Sequence, residues 1–314
     1  MANYDVFNGD ADGICALLQL RLHEPRPATI ITGVKRDIAL LDKITAKSSD
    51  HITVLDVSMR TNKDGLNKAL QAGAFVFYVD HHNAGGLPKH ANLFAVIDTR
   101  PSLCTSLLIN KAINGAHGHW AIVGAFGDNL IKPALALGKQ NGLKQSQMTR
   151  LQNYGMLINY NAYGREVSDL HFSPGKLYKR LLALGSPEHF LNNDKEIFSI
   201  LKNGYQSDIE KARATPAENP GIYILEDAAW ARRISGSFAN LLCHKTPNRA
   251  YAILTHNRDK SFTVSVRAPL NKPEGADTLC LQFPTGGGRK KAAGINRLPQ
   301  AHLPNFIEKF KQTF

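Results

Sequence analysis

The stretch AFVFYVDHHNA, residues 74–84, decides how the first part of the chain is read. Its aromatic and β-branched run is too short for a buried helix and reads as a buried strand. The run stops abruptly on Asp80, His81 and His82. Outward from it lie runs of the same kind, YDVF (4–7), TIITGV (29–34) and HITVLDV (51–57). Between them fall helical patterns, GICALLQLRLH (13–23) and DGLNKALQAG (64–73). This alternation predicts a parallel sheet with helices on both faces, an α/β domain. Helices are expected to continue over 103–114, 119–138 and 144–159.

From about 175 to 215 the pattern stays helical and grows more polar, ending at Thr215-Pro216 and AENPG (217–221). A second unit then opens with the strand GIYILE (221–226) and carries a helix around SGSFANLLCHK (235–245). The strands AYAILTH (250–256) and FTVSVRA (262–268) and a closing helix at PNFIEKFKQTF (304–314) follow. The expected organisation is a larger α/β domain over 1–185, a helical connector over 186–215 and a smaller α/β domain over 216–314. Two domains suit 314 residues, since single cores stop growing at about 250 to 300 residues.

The composition is that of an ordinary globular protein, 43% hydrophobic and 20% charged, which excludes disorder. Cys15, Cys104, Cys243 and Cys280 show no C-x-x-C spacing, so buried reduced thiols are expected rather than a disulfide framework or a zinc site. The opening MANYDVFNGDADG has no basic-then-apolar leader, and no run approaches the length of a membrane span. A cytoplasmic protein without membrane association is the expectation. The net charge of +12 favours anionic partners. Residues 215–314 concentrate it, with 14 Lys and Arg against 7 Asp and Glu. They also hold QFPTGGGRKKAAGI (282–295), where three glycines precede three cations in a loop suited to phosphate.

Ligands of open α/β sheets gather beyond the carboxyl ends of the strands. Here the residues that follow the strand-like runs are acidic: NGDADG (Asn8, Asp10, Asp12), LDVS (Asp56), VDHHNA (Asp80, His81, His82) and, later, GAFGDN (Asp128). One such aspartate is ordinarily a helix cap or turn former. Four clusters in one domain are not. Crowded carboxylates repel unless a cation sits among them, and Asp with imidazole suits Mn²⁺ or a similar ion. Two ions about 3.5–4 Å apart can activate water and neutralise a phosphoryl group under attack.

This ordered set of motifs, over essentially the whole chain, resembles the DHH phosphoesterases with a C-terminal DHH-associated domain, in particular the compact, NrnA-like oligoribonuclease type. GGGRKKAAG is similar to the signature of the associated domain. The resemblance implies that Asp10 and Asp56 bind one Mn²⁺, and that Asp12, Asp56, His81 and Asp128 bind the other, with Mg²⁺ as the alternative ion. Asp80 is then expected to orient His81, and His82 to lie beside the phosphate or its leaving oxygen. Two positions depart from the family pattern. Asn8 stands where many members have a histidine ligand, which leaves the ion count at one or two and Asn8 a weaker candidate ligand. Arg289 stands where histidine often follows the glycines, and a guanidinium fork suits phosphate or a guanine edge.

Arg267, Gly286, Gly287, Gly288 and Arg289 are the implied substrate-binding residues, with Arg232, Arg233 and Ser235 weighed evenly between substrate contact and a solvated face. The function so implied is hydrolysis of short oligonucleotides, down to dinucleotides such as pGpG, to 5′-mononucleotides. A 3′-phosphoadenosine 5′-phosphate phosphatase, a cyclic dinucleotide phosphodiesterase and a non-catalytic nucleotide sensor are the alternatives. The chain length leaves no room for a further nucleic-acid-binding domain, and no aromatic stacking platform is identifiable, so a short RNA or dinucleotide is the expected partner. No protein partner is identifiable, and a homodimer stays open.

Overall fold

In the computed structural model, which describes residues 1–189 and 195–314, five short apolar runs pair in parallel. They are β1 (Asn3–Phe7), β2 (Thr29–Ile31), β3 (His51–Leu55), β4 (Phe75–Asp80) and β5 (Leu93–Ile97), in the order β2-β1-β3-β4-β5. Phe7 lies opposite Leu55 and Leu55 opposite Val79, so three strands finish in line. The residues that follow them therefore share one edge of the sheet. Four of these strands match the sequence reading. The fifth, β5, is an addition.

Helices α1 (Ala11–His23) and α2 (Lys63–Gln71) follow β1 and β3. One sheet face is closed by α2, whose Leu66, Ala69 and Leu70 pack with Val6, Ile52, Val54, Val76 and Tyr78. Being apolar nearly all round, α1 is buried from Ala11 to Arg21 among further helices. These are α3 (Thr105–Ala112), α4 (Gly118–Gly127), α5 (Ile131–Gln140), α6 (Gln145–Asn161) and α7 (Pro174–Leu184). Helices α4 and α6 touch through glycine. A Cβ on Gly155 would lie 2.4 Å from the Val123 carbonyl oxygen and 2.9 Å from the Gly127 nitrogen.

The single helix expected over 119–138 is two. The break falls at Asp128–Leu130, where Asn129 takes φ 62°. Pro133 explains it: without an N–H, and with a ring that would strike the carbonyl four residues back, proline is tolerated only in a helix's first turn. The new turn frees the end of α4.

The chain divides into compact units Met1–Lys202 and Asn203–Phe314, the division falling within α8 (Glu196–Ala214). Residues 190–194 of the expected connector lie outside the described residues. The second unit is a mixed sheet ordered β10-β11-β9-β8-β7-β6. Its strands are β6 (Ala217–Asn219), β7 (Ile222–Leu225), β8 (Tyr251–His256), β9 (Ser261–Arg267), β10 (Gly286–Arg289) and β11 (Ala292–Pro299). Only β7 and β8 pair in parallel, joined across α9 (Ala229–Lys245). The short α10 (Ala276–Cys280) and the closing α11 (Leu303–Thr313), through Phe306 and Phe310, complete a core with Leu254, Phe262, Val264 and Ile295.

The glycine-rich stretch is not a loop but strand β10, an edge strand in a hairpin with β11. Two of its glycines are demanded by close backbone contacts, one with the end of α10 and one with β11. A Cβ on Gly286 would lie 1.8 Å from the Cys280 carbonyl oxygen, and Gly288 combines φ 142° with a Cβ position 2.4 Å from the Ala293 Cα. Of the three, Gly287 alone faces open space.

All four cysteines are free and buried. No described helix is long and apolar enough to cross a membrane. An aromatic surface does exist, contrary to the sequence reading: His51 stacks on Phe75, and Phe77 on Phe94, with Phe94 66% exposed. Strand pairing brings together rings that lie far apart along the chain.

Candidate metal centre

The strand ends and the end of α4 bring the acidic motifs into one cluster. Asp10 caps α1, its Oδ1 accepting the N–H groups of Asp12 at 3.0 Å and Gly13 at 3.1 Å. Asp12, in the first turn, reaches the N-terminus of α3. Its Oδ2 accepts from Thr105 N at 2.8 Å and its Oδ1 from Ser106 N at 2.7 Å. A carboxylate at that end of a helix is favoured by the helix dipole. Asp56 follows β3 with φ 59°, a left-handed backbone that Asp tolerates better than bulkier residues, and its Oδ1 accepts from the Thr105 hydroxyl at 3.3 Å.

His81 settles the chemistry of the cluster. Its Nδ1 lies 3.0 Å from the Leu103 carbonyl oxygen. A carbonyl only accepts, so Nδ1 carries a proton. In the neutral ring the Nε2 lone pair then points at Asp56 Oδ1 (3.4 Å), Asp12 Oδ2 (3.8 Å) and Asp128 Oδ2 (4.0 Å). A lone pair facing three carboxylates is repulsive unless a proton or a cation lies between them. Among the described residues, Asp128 Oδ2 is buried with no hydrogen-bond partner. Oxygen donors with one imidazole, its far nitrogen tied to a carbonyl, fit a divalent transition ion.

The electrostatics agree. Burial, then the charges of Asp12, Asp10, Asp80 and Asp128, push the Asp56 carboxyl well above the ordinary range. Burial and Asp12 raise Asp128 likewise, against the pull of Lys35. Asp10 goes the other way: burial would raise it, but the Lys35 ammonium and several hydrogen bonds hold it at about 2.

Asp80 does not orient His81. Its Oδ1 lies 2.7 Å from Nδ1 of His82, while a backbone carbonyl holds His81. The reason is direction along the strand: adjacent residues face opposite ways, and Asp80 is fully buried while the His82 side chain is 41% exposed. His82 still stays near, its ring centre 4.4 Å from that of His81, and the two rings and Asp56 offer ligand atoms within 4.8 Å of one another.

Asn8 sits beside the cluster with both ends of its amide engaged. Its Oδ1 accepts from Asp10 N at 3.2 Å, and its Nδ2 donates to the Lys35 carbonyl at 3.4 Å. Lys35 is the residue the sequence reading lacks. Its Nζ lies 2.5 Å from Asp10 Oδ2 and 3.2 Å from Asn159 Oδ1. Nothing in GVKRD (33–37) marks this lysine, because its partners lie on other segments.

In the second unit, pairing puts Arg289 opposite Ala292 and Ala292 opposite Arg267, one row across three strands. Paired residues share a sheet face. Arg267 Nε donates to Asn240 Oδ1 of α9 at 2.7 Å. Arg232 pairs with Asp227, and Arg233 is held by both oxygens of Asp208 at 2.8 and 3.1 Å. Ser235 is buried, its hydroxyl returned to the Arg232 carbonyl at 3.3 Å. The contacts named for these three residues lie within the second unit.

No protein-family model matches the sequence, and comparison with curated proteins gives no match. Solved structures do match in fold. RecJ in complex with Mn²⁺ from Thermus thermophilus aligns with TM-score 0.57 and 15% identity over 99% of this chain and 51% of that one. The chain thus spans about half the length of that RecJ. An exonuclease RecJ bound to manganese aligns with TM-score 0.58 and 19% identity, over 99% and 89% of the two chains. A pGpG-specific phosphodiesterase, PggH from Vibrio cholerae, aligns with TM-score 0.54 and 14% identity over the whole of both chains.

Proposed function

We propose that this chain, whose fold is that of the DHH phosphoesterases, is a metal-dependent phosphodiesterase that cuts short oligonucleotides and dinucleotides of the pGpG kind to 5′-mononucleotides. The observation that carries the reading is Nε2 of His81 lying within 4.0 Å of carboxylate oxygens of Asp12, Asp56 and Asp128. A divalent ion held by these four residues would supply a polarised phosphoryl oxygen and a water acidic enough to ionise near neutral pH.

The remaining work falls to side chains. Leu103 and Thr105 fix His81 and Asp56 before substrate arrives, so no reorganisation is needed at the reacting centre. Asp80, buried beneath His82, holds that imidazole by Nδ1 and so fixes the direction of its ring. His82 then presents Nε2 as the donor for the leaving oxygen. In the second unit, the row formed by Arg267 and Arg289 offers guanidinium groups suited to the phosphate and base of a nucleotide. A full-chain match in fold to a pGpG-specific enzyme supports the small substrate.

The test is hydrolysis of all 5′-phosphorylated diribonucleotides with Mn²⁺, beside 3′-phosphoadenosine 5′-phosphate, a cyclic dinucleotide, a longer RNA and single-stranded DNA. Release of mononucleotides from the linear dinucleotides, abolished in Asp56→Ala, is expected. No turnover of any substrate by a protein that binds them would make it a sensor.

A further inference from the structure

We propose that Lys35 occupies the place of one of the two cations, so that this chain binds a single divalent ion, at Asp12, Asp56, His81 and Asp128. The inference rests on the reading of the cluster as a phosphoesterase centre and asks how its positive charge is supplied. An ion at Asp10 needs an oxygen with a free lone pair and a second ligand nearby. Neither is offered. Oδ1 of Asp10 already accepts two backbone N–H groups, at 3.0 and 3.1 Å, which uses both of its lone pairs. Oδ2 accepts the Lys35 ammonium at 2.5 Å.

Asn8 stands where an imidazole would be the second ligand. Its amide oxygen is turned to the Asp10 N–H and its amide nitrogen to the carbonyl of Lys35. The residue that replaces the ligand therefore fastens the lysine. Three further contacts hold Lys35 in place: its N–H donates to the Ala162 carbonyl at 2.9 Å, its Nζ to Asn159 Oδ1 at 3.2 Å, and the ammonium lies 5.4 Å from the centre of the Tyr163 ring. The lysine side chain is 25% exposed and the Asp10 side chain 6%. A metal ion added beside this ammonium would be repelled by it.

The other end of the cluster has the opposite character. Among the described residues no lysine or arginine is ion-paired to Asp12, Asp56 or Asp128, and the basic side chain within 4.0 Å of them is His81. One end already holds a fixed, covalently attached charge, and the other is left for an exchangeable one. Lys35 then supplies, without a second ion, a cation that neutralises the phosphoryl group.

The experiment counts Mn²⁺ bound to the full chain by equilibrium dialysis and records the electron paramagnetic resonance of the bound ion. Wild type is expected to saturate at one ion per chain with the resolved hyperfine lines of an isolated Mn²⁺. The double variant Asn8→His, Lys35→Ala, checked for folding by circular dichroism, is expected to take a second ion and show the broadened spectrum of a coupled pair. Lys35→Arg, which keeps the charge, stays at one. Two ions and a coupled spectrum in wild type would overturn the inference and leave the phosphodiesterase reading standing. A double variant that is folded and still takes one ion would overturn the role given to Lys35. Wild type that binds no Mn²⁺ and yet hydrolyses dinucleotides under chelation would instead remove the metal-dependent reading on which the inference rests.

Discussion

Replacing Asp56 by asparagine is expected to stabilise the metal-free protein while abolishing its response to Mn²⁺. Asp56 is 2% exposed and surrounded by Asp10, Asp12, Asp80 and Asp128, so its ionised form is unwelcome without a cation. Asparagine keeps the oxygen that accepts from Thr105 at 3.3 Å, tolerates the left-handed backbone at φ 59°, and removes the charge. Relief of a strained functional residue commonly adds ~0.5–2 kcal/mol. At this size of unit that is roughly 1–8 °C in Tm. Alanine at the same site has no polar side chain to offset the left-handed backbone, which costs about 1–2 kcal/mol. Asp56→Ala should therefore melt below Asp56→Asn. The assay is thermal melting after chelation, repeated with Mn²⁺ at about a hundred times its Kd, which should add ~2.7 kcal/mol to wild type and nothing to either variant. An asparagine variant that melts below metal-free wild type, or that still rises with Mn²⁺, would refute the argument.

Three further outcomes follow from the same geometry. Gly155→Ala forces a methyl against the Val123 carbonyl at 2.4 Å and should cost about 1–3 kcal/mol in a denaturant titration, with activity falling because α4 ends at Asp128. Asp80→Asn leaves His82 without its anionic partner and should lower kcat by about 10–100-fold with Mn²⁺ binding unchanged; a loss of Mn²⁺ affinity instead would mean that Asp80 acts on the metal site. The metal-free protein should lose stability as pH rises from the ordinary carboxylate range through the raised pKa values of Asp56 and Asp128, because the folded state keeps protons there that the unfolded chain has released. Asp10, at about 2, acts in the opposite sense only below its ordinary value, and Mn²⁺ should flatten the slope above it.

The parts of the fold that sequence reveals are those in which a buried run is continuous along the chain. Strands β1, β3 and β4 are legible because both of their faces are covered, which leaves an unbroken apolar stretch. Strand β5 is absent from the sequence reading; like β2, it is an edge strand with none of its residues buried. The three consecutive glycines invite a phosphate-loop reading, yet Gly286 is required by the Cys280 carbonyl at the end of α10 and Gly288 by the facing strand β11, which no local pattern encodes. Pro133, in contrast, did carry a legible signal: it forbids one helix over 119–138 and so places Asp128 at a helix end.

The site divides along a similar line. Residues that act where the chain leaves a strand, Asp10, Asp12, Asp56 and His81, announce themselves by position, because strand ends in a parallel sheet must converge. The assignment of Asp80 failed since it depends on which of two adjacent imidazoles turns inward, a matter decided by the Leu103 carbonyl 22 residues away. Lys35 is less legible still. Its side chain gains meaning only from Asp10, 25 positions earlier, and Asn159, 124 positions later. Counting acidic residues at strand ends therefore overstates the cations a centre needs, because charge of the other sign can arrive from any segment. Here Asn8 and Lys35 are joined directly, the amide nitrogen donating to the lysine's carbonyl oxygen at 3.4 Å.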